Sequence, residues 1–96
     1  MFLGREQEVA EVIGLQALAW LAASDDLFLA FLAASGAGPE TVAARAADPA
    51  FLIAVLDFLM TEDAWLIAFC DSIALPYDAI DRARQMLPGG ARVHWT

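Results

Sequence analysis

The side chains able to do chemistry are few, and they lie far apart in the sequence. His94 is the only histidine. It stands beside Trp95 beyond the last helix breaker, where nothing fixes an imidazole against the partner that a general base requires. Cys70, the only cysteine, lies among Trp65, Ile67, Phe69 and Ile73 with no basic neighbour to stabilise a thiolate, so an inert thiol is expected. Ser24, Ser35 and Ser72 lack the Gly-flanked elbow of a nucleophilic serine, and the glycines follow helices instead of forming a phosphate cradle after a strand. Zinc would require several Cys and His. No catalytic residue, cofactor or metal site is therefore expected.

The acids are numerous but mostly have a structural explanation. Asp25, Asp26, Glu40, Asp48, Glu62, Asp63 and Asp78 fall at the starts of predicted helices. There a negative charge opposes the positive end of the helix dipole, contributing about 0.3–1 kcal/mol. The pairs Asp25-Asp26 and Glu62-Asp63 admit a divalent cation between them as a lesser reading, although calcium normally takes about six or more oxygens from a dedicated loop. Arg82 follows Asp78 by four residues and Arg84 follows Asp81 by three, spacings that place opposite charges on neighbouring helical turns. Arg45 and Arg84 also lie toward helix C-termini, where a cation meets exposed carbonyls.

Asp57 is the exception, because it interrupts an otherwise apolar run. On a helical wheel it shares a side with Ala50, Ile53, Ala54 and Met60. One reading pairs it with an arginine or a neighbouring helix end. The other makes Ile53, Asp57 and Met60 the seam with another chain.

The elements that must position these groups are all helical. Ala is abundant, strict alternation is absent, and apolar residues recur at helical spacing. A first helix is expected over 5–23, with Val9, Val12, Ile13, Ala17, Trp20 and Leu21 along its inner stripe. Ser24 caps a second, over 25–35, closed by Gly36 in the left-handed conformation. Pro39, Pro49 and Pro76 each suit the first position of a helix, where the missing N–H has no partner to lose. These predict helices from 39, over 49–60 behind the cap Asp48, and over 76–87; Thr61 is expected to cap another over 62–74. The 49–60 helix is apolar almost all round and should be central. Pro88-Gly89-Gly90 ends regular structure, leaving 91–96 as a loose tail.

A weak internal repeat runs through the chain. At an offset of 38, Leu18, Leu21, Asp25, Ala30 and Phe31 fall on Leu56, Leu59, Asp63, Ala68 and Phe69, and Trp20 falls on Phe58. One residue less aligns Pro39, Arg45 and Ala46 with Pro76, Arg82 and Ala83. The fold class is therefore an all-α compact bundle of about six helices, read as two pseudo-repeated three-helix halves sharing one core within a single domain, residues 1–90.

Charge excludes several functions. Thirteen acids face five basic residues, all arginine, for a formal net charge of -8 and a pI near 4.2. That sign opposes nucleic acid and anionic lipid alike. The longest charge-free stretches, 12–24 and 27–39, are shorter than the roughly 20 residues that cross a bilayer. The opening segment turns acidic at once, so no export signal is expected, and a single cysteine suits a reducing, cytoplasmic setting.

Several segments also resemble a known family. They are Leu15-Gln16-Ala17-Leu18-Ala19-Trp20-Leu21; Phe31-Leu32 with Ser35-Gly36 and Pro39-Glu40; Asp48-Pro49-Ala50-Phe51-Leu52 into Val55-Leu56-Asp57-Phe58-Leu59; and Phe69, Ala83-Arg84 and Leu87-Pro88-Gly89. Across most of the chain this pattern is similar to the domain of unknown function 3572 family, small all-helical proteins mainly of alphaproteobacteria. The resemblance implies a compact helical fold in a bacterial cytosol and supplies no activity or ligand. The chain departs from the pattern at Ile73-Ala74-Leu75, where a glycine closing the fifth helix is expected.

The functional expectation is a non-catalytic protein-protein interaction module. Its partner would be itself, as a dimer, or another protein, with Ile53, Asp57 and Met60 as the candidate interface. The motive is an apolar surplus on the fourth and fifth helices. The alternative is a carrier or sensor of a small apolar ligand held between helices.

Overall fold

Six helices are set by the breakers and caps between them. The computed structural model describes residues 2–90, with side chains from Arg5 onward; the expected tail, with His94 and Trp95, lies outside the described residues. The elements are α1 (Phe2–Ala22), α2 (Asp25–Ser35), α3 (Pro39–Arg45), α4 (Pro49–Met60), α5 (Asp63–Ser72) and α6 (Ala79–Met86). Ser24 caps α2 by accepting from the Leu27 amide at 3.5 Å, and Gly36, at φ 74°, closes it with its amide on the Leu32 carbonyl. Asp48 caps α4 by accepting from the Ala50 amide at 3.0 Å. Gly38 has no side chain to cap α3, and Thr41 reaches back instead, accepting from the Gly38 amide.

Two helix starts differ from expectation. Thr61 does not cap α5: it stays in the helical conformation as the end of α4, and its hydroxyl donates to the Phe58 carbonyl at 2.7 Å. That carbonyl, in the last turn of α4, also accepts from the Thr61 amide at 3.2 Å. Glu62 takes the cap position without a side-chain bond. Pro76 does not open α6, which begins three residues later. The cause lies upstream, where Ala74 adopts φ 56° and the Leu75 amide returns to the Cys70 carbonyl at 2.9 Å, the long bond of a Schellman closure. The chain then needs a turn, closed by the Ala79 amide on the Pro76 carbonyl, and Tyr77 donates to Asp71 to tie that turn to α5.

α4 is central, packed by α1, α2, α5 and α6, and its Leu52, Val55, Leu56 and Leu59 are buried. α1 meets it through a face of small and medium residues, Ala10, Ile13, Gly14, Ala17, Leu18 and Leu21. A Cβ on Gly14 would stand only 3.1 Å from the Leu52 Cβ, so these two helices cross at close range. That crossing rotates Val9 and Val12 off the inner stripe, and both are 53% exposed.

The repeat recurs in what the fold buries. Ile13, Gly14, Ala17, Leu18, Leu21, Phe31 and Leu32 are buried, and so are Phe51, Leu52, Val55, Leu56, Leu59, Phe69 and Cys70, each 38 residues later. Equivalent rings also exchange partners: Trp20 packs edge-on against Phe69 at 6.0 Å, and Phe58 packs edge-on against Phe31 at 5.5 Å. Reciprocal contacts of this kind are what a two-fold interface produces. The third helices break the symmetry, because α6 buries Ala79, Ile80 and Ala83 whereas α3 buries no residue fully.

Candidate functional site

The polar centre of the molecule is a clamp between α4, α6 and the segment after α6. Arg84, in the last turn of α6, forks across to Asp57: its Nε and one terminal nitrogen donate to the two carboxylate oxygens, the second at 3.2 Å. The other terminal nitrogen donates to the Gly90 carbonyl at 2.9 Å. Arg84 is mostly covered, at 21% side-chain exposure, while Asp57 keeps 45%. Hydrogen bonding to Asp57 holds the guanidinium above its ordinary pKa against the opposing effect of desolvation, so it stays charged. This outcome matches the structural reading of Asp57; Asp81, on the neighbouring turn of α6 as its spacing implied, adds its charge to the environment of Arg84 and accepts from Gln85 at 2.7 Å. Arg82 and Asp78 pair as expected, at 3.3 Å.

Gly90 is part of the clamp for a steric reason. It is buried, its amide donates to the Leu87 carbonyl at 2.8 Å, and a Cβ there would fall 1.8 Å from the Arg84 carbonyl oxygen. Only glycine fits so close to the end of α6.

Two apolar grooves flank this core. One, between α2 and α4, holds about 280 Å³ and is lined by Phe31, Ala34, Ser35, Ala54, Asp57, Phe58 and Thr61. The other, between α1 and the α5–α6 turn, holds about 240 Å³ and is lined chiefly by Val9, Ile13, Leu75, Pro76, Ala79 and Met86. Ile53 and Met60, the other two residues of the expected seam, are half-buried against the core. The surplus expected on α4 is only partly covered by the four helices around it: Ile53, Ala54, Phe58 and Met60 stay half-buried. The large apolar residues that stay exposed lie elsewhere, notably Val9, Val12 and Leu15 on α1, Leu29 on α2, Ile67 on α5 and Met86 on α6. Sequence reasoning missed the α1 stripe because α1 carries two apolar stripes at helical spacing. The small residues Ala10, Gly14 and Ala17 were the signal for which one faces a tightly packed neighbour.

The remaining candidates are dispersed. Cys70 is buried, and burial, followed by the Asp71 charge, pushes its thiol above the ordinary value. Asp25, Asp26, Glu62 and Asp63 remain exposed at helix starts. Among the described residues, no group of three or more His, Cys, Asp or Glu could hold a metal ion. No single described helix is long and apolar enough to cross a membrane; α1 and α2 pass that test only together, bent by 118°.

These features define a small all-helical domain, built from a doubled helical pair around one core and bearing open apolar grooves. The model of a family described as proteins of unknown function, DUF3572, matches residues 7–90, and the chain belongs to that family. Comparison with curated proteins and with solved structures gives no match.

Proposed function

We propose that the chain is a non-catalytic, cytoplasmic interaction module that associates with a second copy of itself through α1. The observation carrying this is the α1 stripe, where Val9 and Val12 are each 53% exposed and Leu15 is 43% exposed, beside Met86 at 38%. Exposed apolar patches of this kind mark partner surfaces, and a helix stripe meets its own copy naturally across a two-fold axis. Charge supports the choice of occupant. Arg5 and Arg82 stand on this face beside Glu6 and Glu8, so it presents both signs of charge in a chain of net -8. Across a two-fold axis, arginines of one copy can therefore face carboxylates of the other. The two apolar grooves, at about 240 and 280 Å³, are open to solvent and not enclosed between helices, which supports a protein partner over a carried ligand.

Four exposed apolar side chains are far fewer than the roughly 20–30 residues a side of a standard interface, so the expected dimer is weak and reversible. Light scattering across a concentration series should show the mass rising toward twice the monomer, and Val12→Glu should hold it at the monomer. A wild-type mass that stays monomeric at the highest concentration overturns self-association.

A further inference from the structure

The α2/α4 groove is separate from the α1 face, and the internal repeat shows what it lacks. Its wall is the edge-on pair Phe31–Phe58, continued by Trp65, which stacks on Phe58 at 5.0 Å. At the offset of 38, Ile73 is the counterpart of Ser35 in this groove, and Gln16 is the counterpart of Ala54. Ile73 is half-buried against the core, whereas Ser35 is exposed and its hydroxyl turns back to the Leu32 carbonyl at 3.4 Å. The first half of the chain therefore lacks an aliphatic side chain that the second half supplies itself. The exchange also runs the other way, since Ala19 and Ala23 are the counterparts of Asp57 and Thr61, which give this groove a polar rim.

Charge at that rim has one sign. Among the described lining residues Asp57 carries the only charge, and it keeps 45% side-chain exposure beside its bond to Arg84, with acceptor sites to spare on a carboxylate. The last turns of α2 and α4 both line the groove, and neither carries a basic residue to meet its exposed carbonyls. Glu62 and Asp63 follow Thr61 and are exposed. Arg45, Arg82 and Arg84 are engaged elsewhere or already, with Asp48, Asp78 and Asp57 in turn. We propose that the α2/α4 groove docks a basic amphipathic helix of another protein. A leucine or isoleucine of that helix seats over Ala34 and Ala54, against Phe31 and Phe58, and a lysine or arginine one turn away meets the edge formed by Asp57 and Glu62. Recognition of a helix in a groove takes this form, apolar anchors at helical spacing with charge beside them. Unlike the mixed-sign α1 face, this edge selects a cationic partner over a second copy of a chain of net charge -8.

The probe is a synthetic helix of leucine and lysine, about five turns long with the leucines on one face, titrated into the full chain. Fluorescence anisotropy of the labelled peptide reads affinity, and methyl NMR reads the place of binding. The expected result is saturable binding that shifts the Ala34 and Ala54 methyl resonances. Ala34→Leu, at an exposed position that leaves the core intact, should weaken it about tenfold or more by filling the groove. Glu62→Gln should weaken it about two- to fivefold, the size of an exposed ion pair, and Glu40→Gln on α3 should not. No binding overturns the proposal. Equal binding of a scrambled peptide of the same composition, or equal losses in Glu62→Gln and Glu40→Gln, overturns it by reducing the effect to net charge. Equal binding of a leucine and glutamate helix overturns the cationic partner. Loss of binding in Val12→Glu with Ala34→Leu unaffected overturns it by placing the peptide on α1.

Discussion

Asp25–Gly36 and Asp63–Ala74 are the same device made twice. Each begins with an aspartate, buries a Phe six residues on, and ends on a residue with positive φ, Gly36 in one and Ala74 in the other. The connections that leave them differ. After Gly36 the chain has room for Ala37 and Gly38 before Pro39, and α3 starts at once on the outside of the fold. After Ala74 one residue fewer precedes Pro76, a turn intervenes, and α6 is delivered into the space between α1 and α4. A shift of one residue in a connection thus separates a helix that completes the core from one that rests upon it. The shared part of the repeat is the four-helix set α1, α2, α4 and α5, and the asymmetric α6 brings the clamp.

If the shared part is equivalent in energy as well as in position, its central rings should cost the same to remove. Phe31 and Phe69 are each 1% exposed, and each packs on the aromatic that the repeat assigns to it. Phe31→Ala and Phe69→Ala should each cost about 3–5 kcal/mol, the usual penalty for emptying a buried Phe site. Urea unfolding monitored by circular dichroism measures both. A difference above about 1.5 kcal/mol would break the equivalence, showing that one hairpin holds most of the core.

The third helices provide the opposite test. Ile80 on α6 is fully buried, whereas Val42 on α3 is half-buried at the margin of the core. Ile80→Ala is expected to cost about 2–5 kcal/mol and Val42→Ala less than about 1 kcal/mol. Equal costs would mean that α3 contributes to stability as α6 does, against its lack of fully buried residues.

This asymmetry also marks where the sequence was legible. Periodicity and breakers were sufficient for the all-helical class, the bounds of α2 and α4, the caps Ser24 and Asp48, and the central place of α4, because each rests on neighbours within one or two turns. The repeat was visible through Phe31 and Phe69. The start of α6 was not, because Pro76 is equally compatible with a helix start and a turn, and the choice was made by the left-handed Ala74 before it. Asp57 stood out as an acid in an apolar helix, but its partner lies 27 residues away, and Asp81 offered Arg84 a local alternative. The exposed face of α1 was assigned inward for the same reason, since only the close approach to Leu52 decides which of its two apolar stripes is covered.

The arginines near the ends of α3 and α6 compare a surface contact with a covered one. Arg84 makes three hydrogen bonds, to Asp57 and Gly90, at 21% side-chain exposure. Arg45 is 47% exposed, 3.7 Å from Asp48, and lies over the Phe51 ring at 5.1 Å. Arg84→Ala should cost about 1–3 kcal/mol, since charged hydrogen bonds are lost and Asp57 is left facing a carbonyl. Arg45→Ala should cost roughly 0.5–1 kcal/mol, largely from the cation–ring contact. The same denaturation series ranks them, and a larger loss at Arg45 would place the stabilising clamp on α3 instead.

The sharpest comparison is the exchange of residues at the two closures. Gly36 has φ 74° and nothing within 4 Å of where a Cβ would lie, so Gly36→Ala adds no clash. Its effect is then the conformational cost of a left-handed alanine, roughly 1 kcal/mol, partly offset by the lower entropy of the unfolded chain. Ala74 already bears that cost at φ 56°. Ala74→Gly should therefore stabilise the protein by about 0.5–1 kcal/mol, raising Tm by roughly 2–8 °C for a domain of this size. The signs are opposite although the positions are equivalent. Scanning calorimetry on the two single variants and the double exchange tests this directly, and the double exchange should return close to the wild-type Tm because the sites are independent closures. If Ala74→Gly lowers Tm, the Ala74 methyl has a packing role that its conformation does not reveal, and the second closure is held by contacts that the first lacks.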